Sequence, residues 1–470
     1  MKKMICLLMA LVFALSLCAC GKSEKTPPKP EGLQAGFAQI KLTPESGTPM
    51  GGYGNSLKKL STNLSHYLYA ICLALSDGTD TVLLISLDLG SSSEDLLVPV
   101  RQKISQATGI PEKQIILCAT HTHSAPDLEV ADQNPQAAKA LQQWIDGCAQ
   151  IAQEAIADMA PAKIAGTTVE TDGLAFVRHY KMKDGTYAGP NFGVWEVGIE
   201  DYAMESDEQM VMAKFDREGD KADILMMNFQ AHATFTGGME LTLISSDCVG
   251  VTRDYVKDKT GMEVIYFTGD AGNQNNRSNI LEDATGDDIN AWAARLGDYA
   301  IGALDSMEDL SGDDIRISHK TQTCNVWKIT DPETIAKARE VQQLFADTDR
   351  DTGNTLARKY GFSSVYHAGA VIGHLDMDPT EELELNAISV GKLALVTAPY
   401  EMFSREGNKI KAESPFAVTA ILGYAGPHMG YIPSQEAYDY GCYESQTALF
   451  EAGTAEILAQ QYVDMLSSLK

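Results

Sequence analysis

Basic charge is scarce in this 470-residue chain: 37 Lys and Arg stand against 64 Asp and Glu, a formal net charge of −27. Nucleic-acid phosphates are held by basic faces, so this balance excludes a nucleic-acid partner, and an acidic surface chiefly favours solubility. Beyond residue 17 no stretch approaches 18 consecutive apolar residues, so nothing after the N-terminus is expected to span a bilayer. CxxC pairs are missing too, and the scattered cysteines demand neither a disulfide framework nor a cysteine-held metal. Met50-Gly51-Gly52-Tyr53-Gly54 lacks both the Lys-Ser/Thr of a phosphate loop and the Rossmann spacing, and reads as a turn or pocket wall. Asp347-Thr348-Asp349-Arg350-Asp351 opens like a calcium loop. Thr352, however, fills the glycine position and Arg358 the place of the bidentate glutamate, so a solvated helix end is the better reading. No internal repeat is present.

The N-terminus is an address. Met1-Lys2-Lys3 is basic, and Met4 to Leu17 is apolar but short for a membrane span. Leu17-Cys18-Ala19-Cys20-Gly21 follows the pattern of a bacterial lipobox, with Cys18 an unusual choice one position ahead of Ala19. Residues 1–19 are therefore expected to be a signal peptide and Cys20 the lipidated residue. Residues 20–34, rich in Lys, Pro and Ser, read as a flexible tether from which a domain spanning 35–470 hangs. The chain is expected outside the cytoplasm, anchored to the membrane by lipid; an ordinary secretory signal is the alternative. The six later cysteines, Cys72, Cys118, Cys148, Cys248, Cys324 and Cys442, read as buried small hydrophobes.

With 44% hydrophobic and 21% charged residues the remainder can bury a large core. Val82 to Leu87 and Ile115 to Ala119 are apolar runs of strand length. Between them Leu97, Val100, Ile104 and Ala107 mark a helix closed by Gly109. A strand–helix–strand unit predicts a parallel pair with its ligand beyond the strand carboxyl ends, where Thr120-His121-Thr122-His123-Ser124 follows. Further strands are predicted at Ile224–Phe229, running into His232, at Val264–Phe267, running into Gly269 to Asn273, and at Leu393–Thr397, running into Pro399-Tyr400-Glu401. Amphipathic helices are predicted through Trp292, Leu296, Tyr299 and Ala303, and through Ile335, Ala338, Val341 and Leu344. Alternation in an extended backbone would aim His121 and His123 the same way. Two imidazoles on one face suit a transition metal, or a ligand beside a proton-transfer group; they also suit two hydrogen-bonded loop histidines. His232 and Glu401 extend the first reading to a histidine/carboxylate metal site with an open position.

Taken in order, these segments resemble the neutral/alkaline non-lysosomal ceramidase family. The likeness is carried by Ala35 to Pro44 with Met50-Gly51-Gly52-Tyr53, by Ala119-Thr120-His121-Thr122-His123-Ser124-Ala125-Pro126, and by Phe229-Gln230-Ala231-His232-Ala233-Thr234. Ser245-Ser246-Asp247 with Gly250, Phe267 to Asn276, Ala398-Pro399-Tyr400-Glu401, Gly430 to Ser434 and Gly441-Cys442-Tyr443-Glu444 continue it. The resemblance implies one large α/β catalytic domain of mixed β-sheets flanked by helices, without the family's C-terminal immunoglobulin-like domain. It implies one zinc ion per chain held by His121, His232, Glu401 and Tyr431, and attack of zinc-activated water on an amide carbonyl. It gives His123 a proton-transfer or intermediate-stabilising role, and places Arg178 and Tyr443 beside the substrate. The implied substrate is a small N-acylated amphiphile such as a ceramide-like lipid.

Departures bear on that substrate. The family's reacting serine lies in a GDxS-type segment; with the segment read as Gly272-Asn273-Gln274-Asn275, Asn275 stands at the serine. An amide there can hydrogen-bond substrate but cannot act as an alkoxide nucleophile. Ala125 replaces a motif glycine, and His428 in Gly426-Pro427-His428-Met429 stands as an added substrate-side or ligand histidine, or as a plain loop residue. A hydrolase of the same fold acting on a different amide or ester, such as a cell-wall or glycan derivative, is the first rival. A non-catalytic surface lipoprotein with an inherited pocket is the second. A metal-dependent amidohydrolase barrel also uses HxH, but near the chain start and with a lysine and a late aspartate that are not evident here.

Overall fold

Apolar strands that are buried on both faces need partners on both sides, and here they find them in two stacked sheets. A computed structural model describes residues 32–280, 288–312, 314–345 and 350–470. The expected signal peptide, Cys20 and the tether up to residue 31 lie outside the described residues, as does the 347–349 part of the acidic run. Leu33 and Gln34 are buried, and Gln34 already pairs with Ser76, so these two residues of the segment expected as tether belong to the folded domain.

The larger sheet is built on eight main strands: β1 (Gln34–Lys41), β2 (Tyr69–Ser76), β3 (Thr81–Leu87), β4 (Ile115–Ala119), β5 (Ala160–Glu170), β6 (Gln209–Arg217), β7 (Ile224–Phe229) and β8 (Glu263–Thr268). Their order is β8-β7-β6-β5-β1-β2-β3-β4, with the short Glu308–Asp309 strand added on β5. The sheet is mixed: β3–β4 and β7–β8 run parallel, and the other neighbours antiparallel. The second sheet, β9 (Ile315–Asn325), β10 (Thr380–Val390), β11 (Leu393–Thr397) and β12 (Val418–Leu422), is antiparallel except for the β11–β12 pair.

Inner-face residues of both sheets form one core: Phe37, Leu73, Leu84, Val211, Met226 and Phe267 meet Ile388, Leu395, Ala420 and Leu422. Helices cover the outer faces. Helices α1 (Glu94–Thr108) and α2 (Pro135–Ala157) pack on one half of the larger sheet, and α3 (Asp247–Thr260) and α4 (Ile289–Ala303) on the other. Helix α5 (Thr454–Ser468) covers the smaller sheet, giving helix–sheet–sheet–helix layers. The strands and helices read from periodicity are all present, and all six later cysteines are buried and free. The Ile335–Leu344 stripe is only partly buried: Val341 is inside, while Leu344 is 42% exposed. Among the described residues no helix is long and apolar enough to cross a membrane.

One buried amide stitches the two sheets near the strand ends. Asn228 on β7 donates through Nδ2 to the carbonyls of Phe267 (3.0 Å) and Ile421 (2.7 Å), and accepts from the Ile421 N–H at 3.1 Å. Asn228→Leu keeps the bulk but strands two carbonyls and an amide without water. A buried group left unpaired costs about 1–3 kcal/mol. Denaturant unfolding is therefore expected to show a loss of about 2–4 kcal/mol, and a neutral effect would refute the stitching role.

Candidate metal centre and its cleft

Parallel neighbours place their carboxyl ends together, and both sheets do so at the same spot. Loops leaving β4, β7, β8, β11 and β12 carry His121, His232, Gly272–Asn275, Glu401 and Tyr431 respectively. Direct backbone bonds tie these loops across the sheets: Gly423 N–H to Thr268 O (2.9 Å) and Ala119 N–H to Tyr424 O (3.1 Å). Glu401 and Tyr431 sit opposite each other in a short parallel pairing of Glu401–Met402 with Tyr431–Ile432.

The strand extrapolation for HxH is corrected by the backbone. β4 ends at Ala119, and His121 adopts φ +61°, the left-handed region, so the two rings converge through a bend rather than by alternation. Their Nε2 atoms are 3.1 Å apart. Tyr424 is also left-handed (φ +54°), and its ring stacks on His121 with centroids 4.1 Å apart. Two non-glycine residues in this costly conformation, packed on each other, mark backbone strain held at the site.

Each buried histidine is fixed by its other nitrogen. His121 Nδ1 lies 2.6 Å from the Gly90 carbonyl, and His232 Nδ1 2.6 Å from the Ala271 carbonyl. Carbonyls only accept, so both Nδ1 atoms carry the proton and both Nε2 atoms present lone pairs. Those lone pairs point at a single atom: His121 Nε2 and His232 Nε2 are each 3.3 Å from Glu401 Oε2. His123 Nε2 can serve one of them and Arg178 Nη1, 3.3 Å from His232 Nε2, the other. Neither donor relieves the contact of two lone pairs with a buried carboxylate oxygen. A cation at their focus does, and the donor set of imidazoles, carboxylate and phenol suits zinc better than calcium or magnesium. Carbonyl partners on Nδ1 are the usual outer support of histidine ligands.

The electrostatics agree. Burial, then His121 and His232, push the His123 imidazole well below its ordinary range, and its Nδ1 is buried without a partner. Burial with Arg178 lowers His232 to about 4. Burial alone would raise Glu401, but the His121, His232 and His428 side chains around it hold it well below the usual carboxylate range. Burial, reinforced by Glu401, pushes the Tyr431 phenol well up against the pull of Arg178. The protein alone thus keeps Tyr431 protonated, and ligation as a phenolate needs the cation's own field.

His428 does not stand apart as a plain loop residue: its Nε2 lies 3.2 Å from Glu401 Oε1, the oxygen turned away from the histidine pair. Burial lowers its pKa and the Glu401 bond more than restores it, so the net shift is upward. Arg178 is a buried hub. It donates to the Gly272 carbonyl (3.0 Å) and Tyr431 Oη (3.1 Å) through Nη2, and to Glu444 Oε1 through Nε (2.7 Å). Glu444 is backed by His179 Nε2 at 2.7 Å, whose Nδ1 meets Tyr440 Oη at 2.7 Å. Burial would raise Glu444, but His179 and Arg178 bring it down to about 2.

The centre opens into two adjoining cavities of about 590 and 390 Å³ that share Gly52, Tyr53, Gly54, His123, Tyr431 and Tyr443. The Gly-rich segment is therefore a pocket wall. Gly52 has φ +89°, and a Cβ there would lie 2.7 Å from that of His123. Gly52→Ala is expected to displace His123 and lower kcat by about 10²-fold, since misplacement by 1 Å costs that much; steady-state kinetics read it, and a wild-type rate would refute the wall's role. A groove of about 670 Å³ between Thr167–Glu170 and the Arg295–Ser306 face holds none of the histidines and no convergent polar set, so it is not the site.

Asn275 lines the larger cavity, and its backbone bridges that of His232. Asn273 does not face it: its side chain is buried against Ser404, accepting from the Ser404 N–H at 2.9 Å. The Gly-Asp pair itself also occurs as Gly269-Asp270, which puts Gly272 at the serine position, where a Cβ would sit 2.5 Å from the Glu401 carbonyl. In either register no hydroxyl is available. Sequence reasoning missed Glu444, His179 and Tyr424 as parts of the site. Glu444 follows Tyr443 in the Gly441-Cys442-Tyr443-Glu444 segment and His179 follows Arg178 directly; nothing in the sequence signals Tyr424.

Residues 34–265 match the family description "Neutral/alkaline non-lysosomal ceramidase, N-terminal". The fold is similar to the crystal structure of neutral ceramidase from Pseudomonas aeruginosa, with TM-score 0.69 and 18% identity over 94% of this chain and 75% of that one. It is similar also to a structure described as ceramidase complexed with C2, with TM-score 0.67 and 17% identity over the same shares. No curated protein matches the sequence.

Proposed function

We propose, for a chain that belongs through residues 34–265 to the neutral/alkaline non-lysosomal ceramidase family, a zinc-dependent amide hydrolase of N-acylated amphiphiles. Family and fold support amide-bond hydrolysis; the zinc and the amphiphile are this reading's own. The observation that carries it is the convergence of the His121 and His232 Nε2 lone pairs on Glu401 Oε2, at 3.3 Å each.

One zinc, held by His121, His232, Glu401 and Tyr431, supplies Lewis-acid polarisation of a carbonyl and brings the pKa of water to about 7. The chain's own groups do the rest. Nδ1–H bonds to Gly90 O and Ala271 O keep both imidazoles in the ligating tautomer. Arg178, cationic and fixed on Glu444, with Nη2 committed to the Gly272 carbonyl and Tyr431 Oη, presents Nη1 beside His232, where an oxyanion formed from the amide carbonyl is stabilised by a preorganised donor. His123, kept neutral by burial and its histidine neighbours, receives a proton at the cleft face and passes it to the leaving amine. Tyr443, 6.0 Å ring to ring from Tyr431, and Asn275 orient the amide from the cavity wall.

Metal analysis of the full chain tests this. Wild type is expected to hold about one zinc, as a single four-ligand site does, and the His121→Ala/His232→Ala variant close to none, with chelator-sensitive amine release from N-acyl lipids. A chain that stays free of zinc after loading and dialysis is a binding protein with an inherited pocket. The N-terminal Leu17-Cys18-Ala19-Cys20 pattern supports lipid anchoring outside the cytoplasm. Cys20→Ala is then expected to move the protein from the membrane to the soluble fraction, and an unchanged distribution would remove the anchor from the reading.

A further inference from the structure

The two lobes of the cleft differ in charge. The smaller holds Asp127, Glu129 and Glu401. The larger has Arg178, Arg277 and Arg358 in its wall with Asn275, Asn276 and Asn279, and no Asp or Glu among its described lining residues. In a chain with 64 acidic and 37 basic residues, that segregation makes the larger lobe a local positive focus.

The three arginines are not equivalent. Arg178 is neutralised by Glu444. Arg358 is exposed at the mouth. Arg277 is partly buried, with its guanidinium over the Phe235 ring at 4.8 Å to the centroid. Its Nε and Nη2 are buried and have no hydrogen-bond partner among the described residues. These two atoms form one edge of the guanidinium, the edge that takes two oxygens of a carboxylate or phosphate-type group side-on. The segment carrying Arg277 is held to the metal centre: Asn275 bridges His232, and Asn276 Nδ2 donates to the His232 carbonyl at 2.9 Å. A buried charged donor pair left unmatched is costly, and a ligand anion matches it.

We propose that this lobe is an anion subsite, so that the substrate is an N-acyl amide bearing a carboxylate or phosphate-type group that Arg277 grips by its Nε–Nη2 edge. The inference rests on the amide-hydrolase reading for the bond that is cut. The acidic smaller lobe repels the same anion and so sets the direction in which the substrate lies across the centre. A neutral ceramide uses none of this, which places the preferred substrate among N-acyl compounds with an ionised head.

Equilibrium binding tests the subsite without needing turnover. N-hexanoylglycine, N-hexanoylaminomethylphosphonate and the neutral N-hexanoylglycinamide are titrated into the zinc-loaded full chain. At least one anion is expected to bind about tenfold or more tightly than the neutral amide, as charge-assisted bidentate bonding implies. The tighter of the two names the group. That ratio is expected to collapse to about one in Arg277→Gln and to be partly restored in Arg277→Lys, which keeps the charge but not the fork. Equal binding of all three compounds, binding of none, or an anion preference that survives Arg277→Gln overturns the proposal; the last outcome assigns the anion to the metal. Because binding is read directly, a chain that binds anions through Arg277 but cleaves no amide would overturn the hydrolase reading alone.

Discussion

Glu401→Gln is expected to take bound zinc from about one per chain to far below stoichiometry and to lower kcat/KM by about 10³-fold. The magnitude follows from losing the several kcal/mol of charge stabilisation that a Lewis acid supplies. The geometry adds a sharper expectation. In the metal-free wild type, Glu401 Oε2 faces two imidazole lone pairs at 3.3 Å. A glutamine NH2 turned to the same place donates to them instead, and the amide oxygen remains for His428 Nε2. The substitution should therefore leave the metal-free protein as stable as the metal-free wild type or more so, while abolishing the rise in Tm on adding zinc. Metal analysis and thermal melts with and without zinc measure both halves. Stoichiometric zinc in Glu401→Gln would rule out Glu401 as a ligand.

The same centre fixes a pH dependence. His232 is lowered to about 4 by burial and then by Arg178, against 6.5 for a free imidazole. Between these values the unfolded chain binds a proton that the folded chain refuses, so stability rises with pH across that window. The contribution is complete above about 6.5 and is lost as pH falls toward 4. The metal-free chain should show Tm falling from pH 6.5 to 4; a flat profile there would contradict a buried, neutral His232. Acid also competes with the metal for both Nε2 atoms, so zinc release is expected over the same range.

What could be read from the sequence was what depends on local pattern. Val82–Leu87, Ile115–Ala119, Ile224–Phe229 and Leu393–Thr397 are dense apolar runs, and all are strands whose carboxyl ends do carry the polar residues that follow them. Helix α2 was not legible. Its buried stripe is Ala137, Ala140, Trp144, Cys148, Ile151 and Ala155, mostly small residues with little hydrophobic contrast. Their smallness serves close packing: a Cβ on Gly36 of β1 would fall 1.9 Å from the Ala155 carbonyl. HxH was legible as a metal signal, but the route to convergence was not. A left-handed His121 is set by tertiary contacts with Tyr424 and Gly90, and no periodicity reports them. The anionic partner of Arg178 escaped for a related reason. Glu444 lies 266 residues away, and only the fold brings the two to 2.7 Å.

That pair carries the second large effect. Glu444 is fully buried and is the anion shared by Arg178 and His179, held at about 2 by both against its burial. Glu444→Ala leaves the Arg178 cation buried with no counter-charge, a change that costs about 3–5 kcal/mol where one partner of a buried pair is removed. Glu444→Gln separates stability from catalysis. Its oxygen still accepts from Arg178 Nε, and its NH2 donates to His179 Nε2, whose Nδ1–H then serves Tyr440 Oη. The fold should hold, but an arginine no longer pinned by charge orients its Nη1 less firmly beside His232 at the cleft. Loss of one preorganised oxyanion donor is worth about 10²–10³ in kcat, and Glu444→Gln should lose the smaller share, with KM little changed. Arg178→Lys should lose the whole, because an ammonium cannot reach Glu444, the Gly272 carbonyl and Tyr431 together from one stem. If Arg178→Lys turned over amides at the wild-type rate, Arg178 would be a structural ion-pair partner and the oxyanion donor would have to be sought at Tyr443 or Asn275.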